Sequence, residues 1–288
     1  MSKKPPGVDD EQLSVAARRV LLDGLFALKG QLQAVTVVGA QAVYLRTPDA
    51  PLATSGFTSD GDLSFDPQLV EDVPLIEQAL RDAGFELMNP SQPGLWSRDE
   101  LIPGMDDPVP VELDLLVGET LAPKKGTRGA RMPPHDPKTA KKVPGLEVAA
   151  ADRSPLLITA FEVGDSRKIM VNVAGPVALL VAKAYKINDR LKQQDDRPDR
   201  LSNKDAGDVY RIMITTRPAE VAASFAELLV NERVGDVAVK GLEYLRDHFG
   251  GADTPGVRMA VEALAGDVDE ARIRAVMPAY VDRLSRDS

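Results

Sequence analysis

The chain of 288 residues contains no cysteine and only two histidines, His135 and His248. The absence of cysteine excludes disulfides, thiolate zinc sites and cysteine nucleophiles. Two histidines are too few for a histidine-rich metal centre. Any bound metal must therefore be held mainly by oxygen ligands, which favours magnesium, manganese or calcium.

Long hydrophobic runs and an apolar leader are also missing from the sequence. An apolar run such as 177–184 is far shorter than the roughly 20 residues that a membrane-spanning helix needs. The first residues, Met-Ser-Lys-Lys-Pro-Pro-Gly, lack the apolar centre of a signal peptide. We therefore expect a cytoplasmic protein with no membrane segment.

The formal net charge of −9 argues against binding of nucleic acid by the whole surface. One Pro/Gly-rich stretch departs from this average and carries seven basic residues, namely Lys124, Lys125, Arg128, Arg131, Lys138, Lys141 and Lys142. Such a stretch can bind a polyanion such as RNA, or it can be a solvated loop. The sequence leaves both interpretations open.

The spacing of the apolar residues predicts an α+β chain. Short β-branched segments and a few amphipathic helices alternate up to residue 175, with the basic stretch as a loop-rich insertion near 119–145. From Pro176 onward, helical periodicity dominates. We predict a mixed-sheet domain over residues 1–175, followed by an all-helical domain over residues 176–288.

Within the first domain, the pattern predicts several elements near the candidate site. A helix is expected over 10–32, a buried strand over 34–38, a helix over 73–83 and a strand over 156–163. Alternating apolar and acidic residues over 111–117 predict a further strand.

Asp60 and Asp62 form the first candidate site. Acids at positions i and i+2 of a strand point to the same side, and such a pair can bridge two divalent cations in a phosphoryl-transfer site. A third carboxylate would complete the set. Asp114, which lies between two leucines, is the first choice, and Glu112 on the same predicted face is the alternative.

A calcium-binding loop is a rival interpretation of the same segment. Asp60, Asp62, Ser64 and Glu71 fall at ligand positions of a twelve-residue loop. Phe65, however, stands where that loop requires glycine, and no helix clearly precedes it. The pattern therefore disfavours the calcium loop.

Gly39 and Ala40 stand where the predicted buried strand turns into a helix. Glycine lets the backbone approach a phosphate, and the free N–H groups at a helix start can bind it. When the pair is taken alone, an ordinary strand-to-helix turn is the simpler explanation.

In the helical half, Lys183, Lys186 and Arg190 form a basic stripe with helical spacing. A lysine within an apolar run needs a partner for its ammonium, or its side chain must extend to water. A triphosphate is one such partner.

Two acids downstream, Asp205 and Asp208, are one helical turn apart and could hold Lys183 or help to hold a metal. The segment Ser202-Asn-Lys-Asp205 is also typical of a helix capping box, with Asp in place of Glu.

Together these motifs resemble nucleotidyltransferases of the abortive-infection AbiE toxin type, which include AbiEii and the MenT toxins. That family is similar to minimal nucleotidyltransferases of the DNA polymerase β type, with a helical second half. The matching segments are Val-Val-Gly39-Ala40, Thr58-Ser59-Asp60-Gly-Asp62-Leu, Lys183-Ala-Tyr-Lys-Ile-Asn-Asp-Arg190 and Lys204-Asp205-Ala-Gly-Asp208-Val-Tyr. The family commonly has Gly-Ser or Gly-Gly at Gly39-Ala40, and the 119–145 insertion lies outside the shared motifs.

The resemblance implies catalytic roles for Asp60, Asp62, Lys183 and Asp205 in the transfer of NMP from an NTP to an acceptor, often the 3′ end of a tRNA. It also implies a toxin that is neutralised by a cognate antitoxin protein. With it we predict a Mg²⁺ or Mn²⁺ site at Asp60, Asp62 and Asp114. The predicted nucleotide-binding residues are Gly39, Ala40, Ser59, Lys186 and Arg190, and the predicted acceptor-binding residues are Lys124, Lys125, Arg128 and Arg131.

Two other functions remain open at this point. The acceptor can be a hydroxyl of a protein or of a small molecule, since the average charge of the chain is acidic. Alternatively, the chain is a catalytically silent member that binds RNA or a protein partner. The presence of both Asp60 and Asp62 disfavours the silent form.

Overall fold

The computed structural model describes residues 9–52, 58–122, 128–197 and 202–286. The chain divides into two compact units. The first consists of Met1–Leu45, Gly56–Val143 and Arg153–Ala174. The second consists of Arg46–Ser55, Pro144–Asp152 and Gly175–Ser288, so two short segments that precede Gly175 belong to it.

The first unit is built on a mixed sheet, which has eight strands in the described part of the chain. The strands are β1 (Val35–Val38), β2 (Asp60–Phe65), β3 (Glu86–Leu87), β4 (Leu95–Glu100), β5 (Val109–Gly118), β6 (Lys141–Val143), β7 (Arg153–Thr159) and β8 (Lys168–Ala174). Their order is β3-β4-β5-β2-β1-β8-β7, and β6 pairs with the end of β5. The pairs β1–β8, β2–β5 and β5–β6 are parallel, and the others are antiparallel.

Three helices accompany these strands, α1 (Asp10–Ala27), α2 (Gly39–Arg46) and α3 (Ile76–Asp82). Helix α1 begins with a capping box, in which the Asp9 carboxylate accepts a hydrogen bond of 2.8 Å from the Gln12 N–H. It packs against β2 and β5 and covers one face of the sheet. Gly24 allows this close packing, because a Cβ there would lie 2.6 Å from a methyl carbon of Leu113.

The second unit is helical. It contains α4 (Pro176–Lys192), α5 (Lys204–Thr215), α6 (Pro218–Leu229), α7 (Gly235–Phe249), α8 (Pro255–Ala263) and α9 (Glu270–Arg286). Helix α4 starts with a proline in its first turn, where no N–H is needed. The Asp152 carboxylate accepts a hydrogen bond of 2.8 Å from the Ala178 N–H and so replaces a side-chain cap.

The predicted fold class, a mixed-sheet α+β region followed by helices, is confirmed. Three predicted boundaries differ. Helix α1 ends at Ala27, and the residues around Gly30 form a short 3₁₀ turn that packs against Pro74. Helix α3 begins only at Ile76, because proline at position 74 disfavours helical backbone in the residue before it. Strand β7 lies at Arg153–Thr159, earlier than predicted.

None of the helices in the described ranges is long and apolar enough to cross a membrane.

Candidate functional site

The register between β2 and β5 gathers four carboxylates on one face of the sheet. These strands run parallel, with Asp60 beside Glu112 and Asp62 beside Asp114. Because paired residues of neighbouring strands point to the same side, all four acids share one face. The alternate residues Gly61, Leu63, Leu113 and Leu115 are buried on the opposite face, which α1 covers. The acidic face is only half-buried, so it is open to a ligand.

Gly39 brings the start of α2 into contact with the Asp62 carboxylate. It follows β1 directly and has a φ of +68°, which favours glycine. A Cβ at this position would overlap Asp62 Oδ2 and lie 2.7 Å from Asp62 Cγ. The turn is therefore shaped around this carboxylate, and Ala40 is buried beside it.

Asp60 has a neighbouring hydroxyl as its partner. Thr58 Oγ1 donates a short hydrogen bond to Asp60 Oδ1. Thr58 is buried, whereas Ser59 between them is half-buried. The hydroxyl fixes one oxygen of Asp60 and leaves the carboxylate at the edge of the acidic face.

Asp114 is paired with a lysine that the sequence analysis assigned to the basic stretch. Lys141 Nζ donates a hydrogen bond of 2.7 Å to Asp114 Oδ2. The other oxygen, Asp114 Oδ1, is buried, and no donor among the described residues reaches it. A buried carboxylate oxygen without a donor is costly. It is also a free ligand for a cation.

The electrostatics of this face disfavour negative charge. Burial raises the pKa of Glu112, and the neighbouring carboxylates of Asp114 and Asp60 raise it further. Burial also raises the pKa of Asp114, although Lys141 opposes this effect. Perturbed acids that are gathered on an accessible face are typical of functional sites.

The predicted metal ligands Asp60, Asp62 and Asp114 do not converge on one point. Within the described ranges, no group of three or more His, Cys, Asp or Glu side chains is arranged to hold a metal ion. Each of the three acids has a local neighbour, namely Thr58, Gly39 or Lys141. The set nevertheless fits a divalent cation chemically, because its ligands are carboxylate oxygens and one of them, on Asp114, lacks a donor.

The second unit contains a buried ion-pair cluster around Lys183. Its ammonium donates hydrogen bonds of 2.6 Å to Asp205 Oδ1 and 2.7 Å to Asp208 Oδ2. Lys186 on the next turn of α4 also contacts Asp205, at 3.0 Å. Lys183 therefore does not extend to water, and the two acids of α5 hold it.

Lys183 and Asp205 stabilise each other's charge. Burial alone would lower the pKa of Lys183, but the two carboxylates outweigh burial and raise it. Burial alone would raise the pKa of Asp205, but Lys183 and Lys186 lower it well below its ordinary range. Asp205 is thus ionised at neutral pH.

The capping-box interpretation of residues 202–205 is wrong. The N-cap of α5 is Asn203, which makes no side-chain hydrogen bond to the helix start. The Asp205 carboxylate points to Lys183 instead. The tertiary ion pair thus prevails over the local capping pattern, because Lys183 is buried and needs a counter-charge.

The remaining predicted cations differ in their surroundings. Arg190 Nη1 is buried and has no hydrogen-bond partner among the described residues. Arg128 and Arg131 are exposed, as an acceptor-binding role requires. Lys124 and Lys125 lie outside the described residues. Lys141 was not predicted as a site residue, since only the parallel pairing of β6 with β5 brings it to Asp114.

A scan against protein-family models and searches of curated proteins and of solved structures found no match to this chain.

Substitution of Gly39 tests the packing of Asp62 against the turn. We expect Gly39→Ala to be clearly more destabilising than Gly104→Ala. Gly104 has a similar φ of +85° but open space around it, so it bears only the backbone cost of about 1–2 kcal/mol. The measurement is the free energy of unfolding in urea. In the Asp62→Ala background the excess cost at Gly39 should shrink, because only the Cβ of residue 62, 3.0 Å from the added Cβ, then remains in its way. An undiminished excess would contradict this packing.

Acid titration tests the Lys183 cluster. At neutral pH, Asp205→Asn should cost about 3 kcal/mol, because a buried ammonium loses a charged partner. Because the pKa of Asp205 is lowered in the folded state, its carboxylate stabilises the fold at pH values above its ordinary pKa of 3.8. This contribution is lost as the pH falls through the folded-state pKa.

The difference in unfolding free energy between wild type and Asp205→Asn should therefore be full at pH 6 to 7 and shrink below about pH 3.8. Asp195→Asn, at an exposed turn, is the control. A difference that stays constant down to pH 3, or that is absent at pH 7, would contradict the assigned ion pair.

Proposed function

We propose that this protein is a metal-dependent nucleotidyltransferase, which moves NMP from an NTP to an acceptor hydroxyl. The register of β2 beside β5 carries the proposal, because it gathers Asp60, Asp62 and Asp114 on one accessible face. The glycine turn at the start of α2, in contact with Asp62, supports it. The resemblance of the motifs to AbiE-type enzymes adds to these observations.

The proposed reaction is an attack by the acceptor hydroxyl on the α-phosphorus of the NTP. The acceptor oxygen bonds to phosphorus and loses its proton to water, while the bond from phosphorus to the bridging oxygen breaks and pyrophosphate leaves. Bound Mg²⁺ or Mn²⁺ would neutralise the triphosphate and activate the attacking oxygen. Asp60, Asp62 and Asp114 would hold the metal, while the backbone at Gly39 would approach a phosphate closely.

The resemblance also singles out residues that lie in the helical unit. Lys186 keeps 46% of its side chain exposed while it contacts Asp205, so it remains available to a phosphate. Arg190 has a guanidinium nitrogen with no partner in the described part of the chain and is the second proposed phosphate ligand. Lys183 holds the Asp205 carboxylate in its ionised form. We propose that this fixed carboxylate is the catalytic contribution of the pair.

We propose RNA, and a tRNA 3′ end in particular, as the acceptor. This rests on the resemblance and on the exposed arginines Arg128 and Arg131 in the basic stretch. The same resemblance implies a toxin that acts in the cytoplasm and is paired with an antitoxin protein. These are further parts of the proposal.

A hydroxyl of a protein or small molecule is the second candidate acceptor. One observation favours it: Lys141 is engaged with Asp114 and so leaves the basic stretch with fewer free cations. The net charge of −9 acts in the same direction.

Incubation with labelled NTPs distinguishes these acceptors and tests the reaction itself. Each NTP is supplied with an α-³²P or γ-³²P label, together with Mg²⁺ and total RNA or total protein. Nucleotidyl transfer places the α-label on the polymer and releases the γ-label as pyrophosphate. Transfer of the γ-label would indicate a kinase, and neither label on any acceptor would overturn the proposal.

Removal of either β2 acid should abolish the transfer of α-label and leave the fold intact. Asp60→Ala and Asp62→Ala each delete a proposed metal ligand, and they also relieve repulsion within the acidic face. Thermal melting of the metal-free protein should therefore hold or rise. Asp99→Ala, at an exposed acid of β4, is the control and should retain activity. Full activity of either β2 variant would exclude the assigned metal site.

The salt dependence of RNA binding tests the acceptor assignment. Alanine at Lys124, Lys125, Arg128 and Arg131 together should weaken RNA binding. The slope of log affinity against log salt should fall by roughly 0.7–0.9 for each lost phosphate contact. A matched variant removes four exposed cations elsewhere, namely Lys29, Lys168, Arg233 and Lys240. Equal slopes for the two variants would favour a protein or small-molecule acceptor.

A further inference from the structure

We propose that Lys141 is a built-in competitor of the catalytic metal, a resident cation on Asp114 that a divalent ion must displace. The inference rests on the proposed function, since it concerns the same carboxylates. Lys141 lies outside the motifs of the resemblance and would weaken metal binding at these carboxylates. The ammonium of Lys141 lies 2.7 Å from Asp114 Oδ2.

The backbone around Lys141 is fixed, so its position is a property of the fold. Lys141 of β6 pairs with Leu116 of β5. Leu116 is two residues after Asp114, so Lys141 and Asp114 lie on the same face of the sheet. It also forms a bridge with Gly129. Gly94 packs closely against this backbone, because a Cβ at Gly94 would lie 2.5 Å from the backbone nitrogen of Lys141. The lysine is thus anchored by its backbone, and only its side chain is free to move.

A divalent metal and the Lys141 ammonium compete for the negative charge of Asp114. Metal–oxygen distances of about 2.0–2.6 Å would bring the ion to within a few ångströms of Nζ. At that separation a divalent ion and an ammonium repel strongly in a half-buried site. An ion on Asp114 Oδ1, which no donor of the described residues reaches, would be repelled by the ammonium on Oδ2, and departure of the lysine from Oδ2 removes that repulsion.

Expulsion is feasible because the pair is only partly buried. The Lys141 side chain keeps 30% of its surface exposed, and Asp114 keeps 20%. The displaced ammonium can therefore turn to solvent or to a polyphosphate. It follows that free metal binds weakly, and that metal delivered with a triphosphate binds better because Lys141 then gains an anionic partner.

Binding of Mn²⁺ alone tests the competition without any assay of activity. Free Mn²⁺ is measured by electron paramagnetic resonance in titrations of wild type, Lys141→Met, Lys141→Arg and the control Lys138→Met. Lys138 is an exposed lysine of the same stretch. Lys141→Met should bind Mn²⁺ about tenfold more tightly. This factor is expected if the half-buried Lys141–Asp114 pair is somewhat stronger than an exposed ion pair and no longer opposes the metal. Lys141→Arg and Lys138→Met should resemble wild type.

The outcomes separate failure of this inference from failure of the proposed function. If Mn²⁺ binds and binding requires Asp62, but Lys141→Met binds no more tightly than wild type, the competition is overturned and the metal site stands. If neither protein binds Mn²⁺ in a way that Asp62→Ala removes, the metal site and the competition both fail. Circular dichroism melting shows whether each variant is folded. Should Lys141→Met not fold, Lys141→Gln provides the same comparison.

Discussion

Strand β2 is held on both sides, antiparallel to β1 and parallel to β5, and the candidate site depends on this register. The pairing puts Asp62 beside Asp114 and next to the turn at Gly39. A shift of one residue would turn Asp60 and Asp62 towards α1, where Gly61 now lies against Leu21. Burial of two carboxylates under an apolar helix would be prohibitive. The apolar packing of α1 therefore fixes which face bears the acids.

The two charged clusters of the chain differ in how well their charges are balanced. In the helical unit, Lys183 lies between two aspartates, and all three are buried and hydrogen-bonded. On the sheet, four acids share one face, Lys141 pairs with Asp114, and the other oxygen of Asp114 has no donor among the described residues. The first arrangement is closed and stabilises the fold. The second leaves one carboxylate oxygen of Asp114 without a donor in the described part of the chain, and this is why we propose the sheet as the metal site.

Much of the fold was predictable from periodicity, and the candidate site was predictable in part. The alternation around Asp60 and Asp114 indicates two acid-bearing strands, but only the observed register decides that Asp114, and not Glu112, is the neighbour of Asp62. The contact of Lys141 with Asp114 depends on the parallel pairing of β6 with β5 after a long connection, which no local pattern encodes. The segment before Asp205 carries a capping pattern, yet burial of Lys183 redirects its carboxylate. The misjudged features are thus those that long-range electrostatics decide.

The proposed function requires that the acids of β2 and β5 hold a divalent cation together. Diffraction from crystals grown with Mn²⁺ and a non-hydrolysable NTP, recorded near the manganese edge, tests it most directly. We predict an anomalous peak within about 2.5 Å of carboxylate oxygens of Asp62 and Asp114, with the Lys141 ammonium moved away from Asp114. A bound nucleotide with no anomalous peak at these carboxylates, or a peak at a different set of ligands, would contradict it.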